Sequence, residues 1–175
     1  MLELKAQLTV EYLASFITFI GLIIFIYFTY SGNIPGFVEE VKKEDVRSKA
    51  YQLSEILVND PGDPTNWDQP ASDIKRIGLS DEKSNKTNLI SWDKVVELDN
   101  QCGNFDDIKR WLGLNKSFSI LVFRINQATG QRITPPLCEC RSPELVMTAI
   151  NTTVRRITAL NNSGTLELAE IIVQM

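Results

Sequence analysis

The stretch "KAQLTVEYLASFITFIGLIIFIYFTY", residues 5–30, contains the longest apolar run of the chain. Residues 12–30 are nineteen positions without a charged side chain, and isoleucine and phenylalanine dominate them. As an α-helix with a rise of 1.5 Å per residue they would extend over roughly 28 Å, about the thickness of the hydrocarbon layer of a membrane. The pattern therefore predicts a transmembrane helix, which we place at residues 7–31.

Two other interpretations of the apolar run fit less well. A secretory signal peptide has an apolar region of about 7–15 residues, followed by a cleavage site made of small residues. The apolar run is longer than this, and no such site follows Tyr30. A helix in the core of a soluble protein would normally be shorter or amphipathic. A membrane anchor is the interpretation that we adopt.

The residues at the start of the run form a second pattern, in which Lys5 and Ala6 precede "QLTVEY", residues 7–12. The pattern resembles the class III signal peptide of archaeal type IV pilin-like proteins. In that family a basic and a small residue precede Gln-x-Ser/Thr-x-Glu-aromatic, and a prepilin peptidase removes the short leader on the cytoplasmic side. The resemblance implies a leader of residues 1–6, cut between Ala6 and Gln7. The family more usually has glycine at the position of Ala6.

Glu11 places a carboxylate at the front edge of the apolar run. A charged side chain inside a membrane costs roughly 2–4 kcal/mol on insertion scales, so its presence needs a reason. The resemblance implies that Glu11 pairs, on assembly, with the α-amino group that cleavage creates at Gln7 of a neighbouring subunit. The simpler alternative is that Glu11 lies at headgroup depth in the first helical turn, where the helix macrodipole favours an anion.

After the apolar run the chain becomes amphipathic. Residues 31–36 contain two glycines and Pro35, and we expect them to break or bend the helix. Four apolar residues then recur at the spacing of one helical face, namely Val46, Ala50, Leu53 and Leu57. We interpret residues 32–58 as an amphipathic helical stalk that carries a head on its apolar face.

Residues 59–175 are predicted to form this head, so the fold class is α+β, with short helices and an antiparallel sheet after the long N-terminal helix. Ser91 is a good N-cap for one short helix, and a second one is expected to stop at Gly113. The remaining predicted elements are turns at 59–70, a strand at 117–126, a loop with the pair Pro135–Pro136 at 128–143, and extended segments at 144–160 and 165–175 joined by a hairpin turn.

The head contains three cysteines, Cys102, Cys138 and Cys140. In an oxidising exterior Cys102 can pair with Cys138 or Cys140, and the spacing does not separate these two pairings from three unpaired thiols. We favour one disulfide. A Cys-x-Cys pair can be half of a metal site, but no matching ligands follow this one, so we expect no metal and no other cofactor.

Four Asn-x-Ser/Thr sequons are candidates for N-glycosylation, at Asn85, Asn115, Asn151 and Asn161. All but Asn151 fall in predicted loops or at the edges of predicted elements, where a glycan is accepted most easily. Asn151 lies in a predicted strand, and its side chain would have to point outward.

The composition and the resemblance together limit the classes of function that we consider for the chain. The chain has no histidine, which removes the commonest general base, and we predict no enzyme. The net charge of −4 comes from interspersed charges of both signs, which does not favour nucleic acid as a partner. The resemblance implies a structural pilin-like or pseudopilin-like subunit of a surface filament. Its implied partners are the prepilin peptidase, other pilin-like subunits and membrane lipid.

The location follows from the processing pattern. Lys42, Lys43, Arg47 and Lys49 follow the apolar run and only Lys5 precedes it, so the positive-inside rule alone would place the head in the cytoplasm. We expect the opposite, a single pass through the cell membrane with the head outside, because the motif places the leader in the cytoplasm. Two alternatives remain open: a membrane-anchored extracellular binding module that does not polymerise, and an extracytoplasmic enzyme that uses carboxylates.

Overall fold

The computed structural model describes residues 2–69, 73–82, 86–143 and 152–175, with the backbone alone at 2–9 and 33. A long helix followed by a head of short helices and a sheet confirms the predicted α+β class. The chain divides into two units, Met1–Lys42 and Lys43–Met175. In chain order the elements are α1 (Leu2–Asn59), β1 (Leu89–Ser91), α2 (Trp92–Gln101), α3 (Phe105–Trp111), β2 (Ser119–Ile125), β3 (Arg132–Arg141), β4 (Thr153–Asn162) and β5 (Thr165–Gln174).

The helix α1 continues through residues 31–36, with Pro35 inside it. Of the break or bend expected at this position, the break is therefore wrong. Proline has no N–H group and costs about 3 kcal/mol in a helix interior. That cost is local, whereas the apolar run before Pro35 and the packed turns after it both favour helix over many residues. The helix therefore includes the proline and ends only at Asn59.

The first unit exposes the apolar side chains of α1. The exposed fraction is 67% at Ile17 and 68% at Phe25. The hydroxyl groups of Thr18 and Thr29 donate hydrogen bonds to backbone carbonyls one turn earlier, so they are satisfied inside the helix. In the part of the chain that the structure describes, α1 is the one helix long and apolar enough, by length and composition, to cross a membrane.

In the second unit the last turns of α1 are part of the head's core. Ala50, Leu53 and Leu57 are at most 2% exposed, and Val46 packs against the same core while partly buried. These are the four residues of the predicted apolar face, which is confirmed. Burying one leucine side chain contributes roughly 1.5–3 kcal/mol, so this face holds the end of α1 firmly to the head.

Arg156 of β4 connects the sheet to α1 by polar contacts. Its Nε donates a hydrogen bond to Ser54 Oγ at 2.8 Å, and its guanidinium forms an ion pair with Glu55. The same guanidinium lies 4.9 Å from the centre of the Tyr51 ring. These contacts lie beside the apolar face and fix the register between α1 and β4.

The turn-rich segment after α1 packs around Trp67. This side chain is 1% exposed, and its Nε1 donates a hydrogen bond to the carbonyl of Gly78 at 2.8 Å. A Cβ at Gly78 would lie 2.0 Å from the carbonyl oxygen of Asp60. Gly62 has a φ of +89°, and a Cβ there would lie 2.4 Å from Trp67 Cδ1. Both positions therefore require glycine.

Within the described residues the strands form one five-stranded sheet, in the order β1-β4-β5-β2-β3. β4 with β5, β5 with β2, and β2 with β3 are antiparallel, but β1 pairs with β4 in parallel, with Leu89 opposite Ala159. The sheet is therefore mixed, which corrects the prediction of a purely antiparallel one. β1 has three residues, too few to show an alternating pattern in the sequence.

β3 occupies a segment where the sequence predicted a loop. That prediction followed from Pro135 and Pro136, because proline cannot donate to a strand ladder. In the sheet both prolines fall in a register shift between the pairs Val122–Cys138 and Arg124–Ile133. Among the described strands β3 also stands at the end of the strand order, so one of its sides pairs with none of them. Edge strands and bulges are the places where a sheet accepts proline.

The predicted hairpin between the last two strands is confirmed. β4 and β5 pair up to Asn162 opposite Thr165, and two residues, Ser163 and Gly164, make the turn. Both have positive φ angles, 51° and 92°, as a two-residue hairpin turn requires. The first part of the segment predicted at 144–160 lies outside the described residues up to position 151.

Candidate functional site

The residues of the signal-like pattern lie at the beginning of α1. The backbone of Lys5, Ala6 and Gln7 is helical, and Glu11 follows one turn after Gln7 on the same side of the helix. Glu11 is exposed. It is also the one charged residue in the sequence between residues 10 and 30.

The surface next to Glu11 is apolar on all sides of the helix. Val10 is 65% exposed, Tyr12 72% and Leu13 51%, and at 100° per residue these side chains point in different directions around the helix axis. Gly21 interrupts this surface, and a Cβ built there meets nothing within 4 Å. An apolar surface of this length belongs to an interface with lipid or with protein.

A second candidate site lies in the head, at the cysteines. Cys102, which follows the last residue of α2, forms a disulfide with Cys140 of β3, and their Cα atoms are 5.2 Å apart. This selects one of the two pairings that the sequence left open. Cys138 and Cys140 are two residues apart in β3, so both side chains lie on the same face of the sheet, and both are fully buried.

Cys138 remains a free, buried thiol next to that disulfide. Its Sγ, the Sγ of Cys102 and a carboxylate oxygen of Asp99 all lie within 4.8 Å of one another. Burial raises the pKa of the Cys138 thiol, and the negative charge of Asp99 raises it further. The carboxylate is itself held in place, because Asp99 Oδ1 accepts a hydrogen bond from the backbone N–H of Glu139 at 2.9 Å.

Lys94 is a buried cation at the start of α2, beside a polar cavity of about 310 Å³. Its side chain is 5% exposed, and its Nζ donates hydrogen bonds to the carbonyls of Pro61 at 2.7 Å and Ser80 at 2.9 Å. Burial lowers the pKa of Lys94, and the nearest acidic groups, Asp68 and Glu82 among them, act in the opposite direction. The ammonium group of Lys94 therefore links the loop that contains Pro61 to the segment that contains Ser80.

The sequons differ in what their asparagine side chains contact. Asn115 is exposed in the loop after α3. Asn161 lies at the end of β4, where its Nδ2 donates a hydrogen bond to Asp81 at 2.6 Å and its Oδ1 accepts one from the N–H of Gly164. A glycan on Asn161 would have to break the first of these contacts. Asn85 and Asn151 lie outside the described residues.

No protein-family model matches the chain, and neither a curated protein nor a solved structure is significantly similar to it. Asp99 is the functional candidate that the sequence reasoning missed. Its signal was the spacing Asp-x-x-Cys from Asp99 to Cys102, which places both side chains on one face at the end of a helix.

Proposed function

We propose that the chain is a structural pilin-like or pseudopilin-like subunit. A prepilin peptidase would cut it between Ala6 and Gln7, and it would then assemble through α1 into a surface filament. Before assembly α1 would span the cell membrane once, with the head outside. The observation that carries this proposal is the long exposed apolar surface of α1, in which Glu11 is the one charged residue between positions 10 and 30.

The apolar surface of α1 is consistent with both proposed states of the subunit, inserted in the membrane and assembled in a filament. In the membrane, lipid would cover it, and in a filament the helices of neighbouring subunits would do so. Between helices in lipid there is no hydrophobic driving force, so close packing at small residues and a few polar contacts hold them together. Ala14, Ser15 and Gly21 are the small residues that would allow such an approach.

Glu11 would provide the polar contact. Cleavage before Gln7 creates an α-amino group one helical turn from Glu11. In one subunit alone, both charges would be costly in an apolar surrounding. If the amine of one subunit meets Glu11 of the next, each charge gains a partner, and assembly becomes possible only after cleavage. The pattern at residues 5–12, which resembles the class III signal peptide, supports this link between cleavage and assembly.

The first test is the N-terminus of the mature protein in the cell, determined by peptide mass mapping. We expect the chain to start at Gln7. A variant that combines Lys5→Ala with Ala6→Leu should stay uncut and keep a mass that includes residues 1–6. The control is Lys43→Ala, which removes a lysine outside the leader and should be cut normally. If the mature double variant has the same mass as the mature parent protein, the cleavage assignment is wrong.

The second test separates cleavage from assembly. Glu11→Ala should be cut like the parent protein but should be missing from surface filaments in electron micrographs and in sheared filament fractions. Glu39→Ala removes an exposed carboxylate from the same helix, outside the motif, and should assemble normally. Normal filaments with Glu11→Ala would eliminate the proposed pairing between subunits. A mature chain that starts at Met1 would instead favour the membrane-anchored binding module that does not polymerise.

A further inference from the structure

We propose that Asp99, Cys102, Cys138 and Cys140 form, when their thiols are reduced, a four-ligand site for a thiophilic divalent cation such as Zn²⁺. The same cluster would then have two mutually exclusive states, one closed by the disulfide and one closed by the metal. This inference concerns the head and is independent of filament assembly.

The four residues converge because two elements present them in pairs. Asp99 and Cys102 are three residues apart at the end of α2, so they lie on one face of the helix. Cys138 and Cys140 are two residues apart in β3 and lie on one face of the strand. The two faces meet, because Cys102 is bonded to Cys140 and Asp99 accepts the N–H of Glu139, the residue between the two strand cysteines.

The distances suit a metal of small radius. The ligand atoms of Asp99, Cys102 and Cys138 lie within 4.8 Å of one another, and the sulfur of Cys140 is bonded to that of Cys102. A zinc–sulfur bond of 2.3 Å in a tetrahedron places two sulfur ligands about 3.8 Å apart. The bonded pair would have to separate and the other atoms would have to approach by about 1 Å, which side-chain rotation can supply without moving either element.

The chemistry of the ligands selects the class of ion. Three thiolates and one carboxylate favour Zn²⁺ and similar thiophilic cations, whereas Ca²⁺ and Mg²⁺ require oxygen ligands almost throughout. Cys138 and Cys140 are fully buried, and Asp99 is exposed, so a cation would approach from the carboxylate side. The hydrogen bond from Glu139 would orient that carboxylate, as contacts around metal ligands usually do.

The two states differ by two electrons and by the protons on sulfur. A newly made chain carries three thiols, and an oxidant such as a small-molecule disulfide takes two electrons and two protons to join Cys102 to Cys140. In the reverse direction a phosphine reduces this disulfide, takes one oxygen atom from water, and leaves two thiols. Binding of the cation to the reduced cluster then displaces the thiol protons into solvent.

The test uses the full chain, purified in detergent and reduced with a phosphine under exclusion of oxygen. Titration with Co²⁺, which mimics Zn²⁺ and is coloured in tetrahedral sites, should give a saturable one-to-one complex. Its spectrum should contain thiolate-to-cobalt charge-transfer bands, and Zn²⁺ should abolish them. The oxidised chain, in which Cys102 and Cys140 are consumed, should show no such bands. A tetrahedral thiolate spectrum of equal intensity from the oxidised chain would overturn the exclusivity of the two states.

Variants separate the site from adventitious binding by thiols. Cys138→Ser should lose the tetrahedral spectrum, while its disulfide still allows folding to be checked in the oxidised form. Asp99→Asn should weaken cobalt binding at least about tenfold. Asp93→Asn, which neutralises an exposed carboxylate in the first turn of the same helix, should bind like the parent. Unchanged binding in Cys138→Ser would overturn the proposal.

The folding of the reduced chain with and without Zn²⁺ is a further test of the proposed metal site. If reduction unfolds the head, as followed by circular dichroism, a stoichiometric amount of Zn²⁺ should restore its structure, because metal binding then drives folding. Failure of Zn²⁺ to restore an unfolded reduced head would overturn the proposal, as would a folded reduced head without a cobalt spectrum.

Discussion

Large apolar side chains occur both in the part of α1 in the first unit and in the part in the second unit, but they have opposite surroundings. Leu22, in the first unit, is 56% exposed, and Leu57, in the second unit, is fully buried. Both are leucines in the same continuous helix. The difference lies in their neighbours. Around Leu22 the sequence is apolar on every side, whereas Leu57 belongs to a single apolar face flanked by charged residues.

This difference sets the surroundings that each part of the helix requires. A helix that is apolar all round needs lipid or protein around its whole circumference, and an amphipathic one needs a partner on one side only. The head supplies that partner for Leu53 and Leu57. Among the described residues Leu22 is left 56% exposed, which is why we propose membrane and neighbouring subunits as its surroundings.

The largest expected effect comes from truncating a leucine in the buried part of the helix. Leu57→Ala should lower the free energy of unfolding of the head by about 2–5 kcal/mol, because it leaves a cavity in the core. Leu22→Ala is the matched control and should leave head stability unchanged. All three tryptophans lie in the second unit, so denaturant titration followed by tryptophan fluorescence reports on the head. Equal effects of the two substitutions on the free energy of unfolding would contradict the proposed difference between buried Leu57 and exposed Leu22.

An added charge at Leu22 should affect the first unit and not the stability of the head. Leu22→Arg should lower the tendency of the apolar run to insert into a membrane by roughly 3 kcal/mol, because the guanidinium would lie at bilayer depth. The measurement is the fraction of protein that resists alkaline carbonate extraction, with Leu22→Ala as control. Tryptophan fluorescence should report an unchanged head. Extraction of the arginine variant at the parent's level would argue against α1 as the membrane anchor.

A smaller effect is expected for the buried cation of the head. Lys94→Met keeps the length of the side chain but removes the donor to the carbonyls of Pro61 and Ser80. Carbonyls left unpaired in a buried place should lower the free energy of unfolding by about 1–3 kcal/mol. Lys43→Met, an exposed lysine on α1, should change it by less than about 0.5 kcal/mol. Denaturant titration distinguishes the two, and a Lys94→Met variant as stable as Lys43→Met would show that the amine is dispensable.

The smallest expected effect concerns the surface of the second unit. Hydrogen bonds from Lys116 and Lys49, each at 3.0 Å, hold the pKa of Asp45 below its usual value. A carboxyl whose pKa is lowered by folding stabilises the folded state above its unfolded pKa, and this contribution disappears as the pH falls through the folded pKa.

The difference in melting temperature between the parent and Asp45→Asn should therefore be small near neutral pH, decline as the pH falls below about 4, and vanish once the pH lies below the lowered pKa of the folded state. Salt should reduce it as well, because the three groups are solvated. Thermal melts at three pH values and two salt concentrations provide the measurement. A difference that grows on acidification would contradict the assigned direction of the pKa shift.

The sequence predicts those parts of the fold that depend on local periodicity. The apolar run, the face around Leu53 and the stop at Gly113 with its φ of +65° all follow from residues a few positions apart. β3 could not be predicted, because Pro135 and Pro136 exclude a central strand but not an edge strand with a register shift. Only the completed sheet places β3 at its edge.

The candidate sites, too, could be predicted only where they consist of residues close together in the sequence. The pattern from Lys5 to Glu11 is contiguous and can be read directly from the sequence. The cysteine cluster is assembled from two distant segments, so the sequence left the partner of Cys102 open. Asp99 is one of 22 acidic residues, and its spacing of three from Cys102 is the one local feature that distinguishes it. Its importance follows from the packing of the end of α2 against β3, which depends on the whole head.

The burial of the last turns of α1 has a consequence for handling the protein. A protease that cuts between the two units, near Lys43, would release a soluble fragment with its core complete. A fragment that begins after Asn59 would lack Leu53, Leu57 and the residues around them. The side chains of the head that they cover would face water, and such a fragment is expected to aggregate during expression.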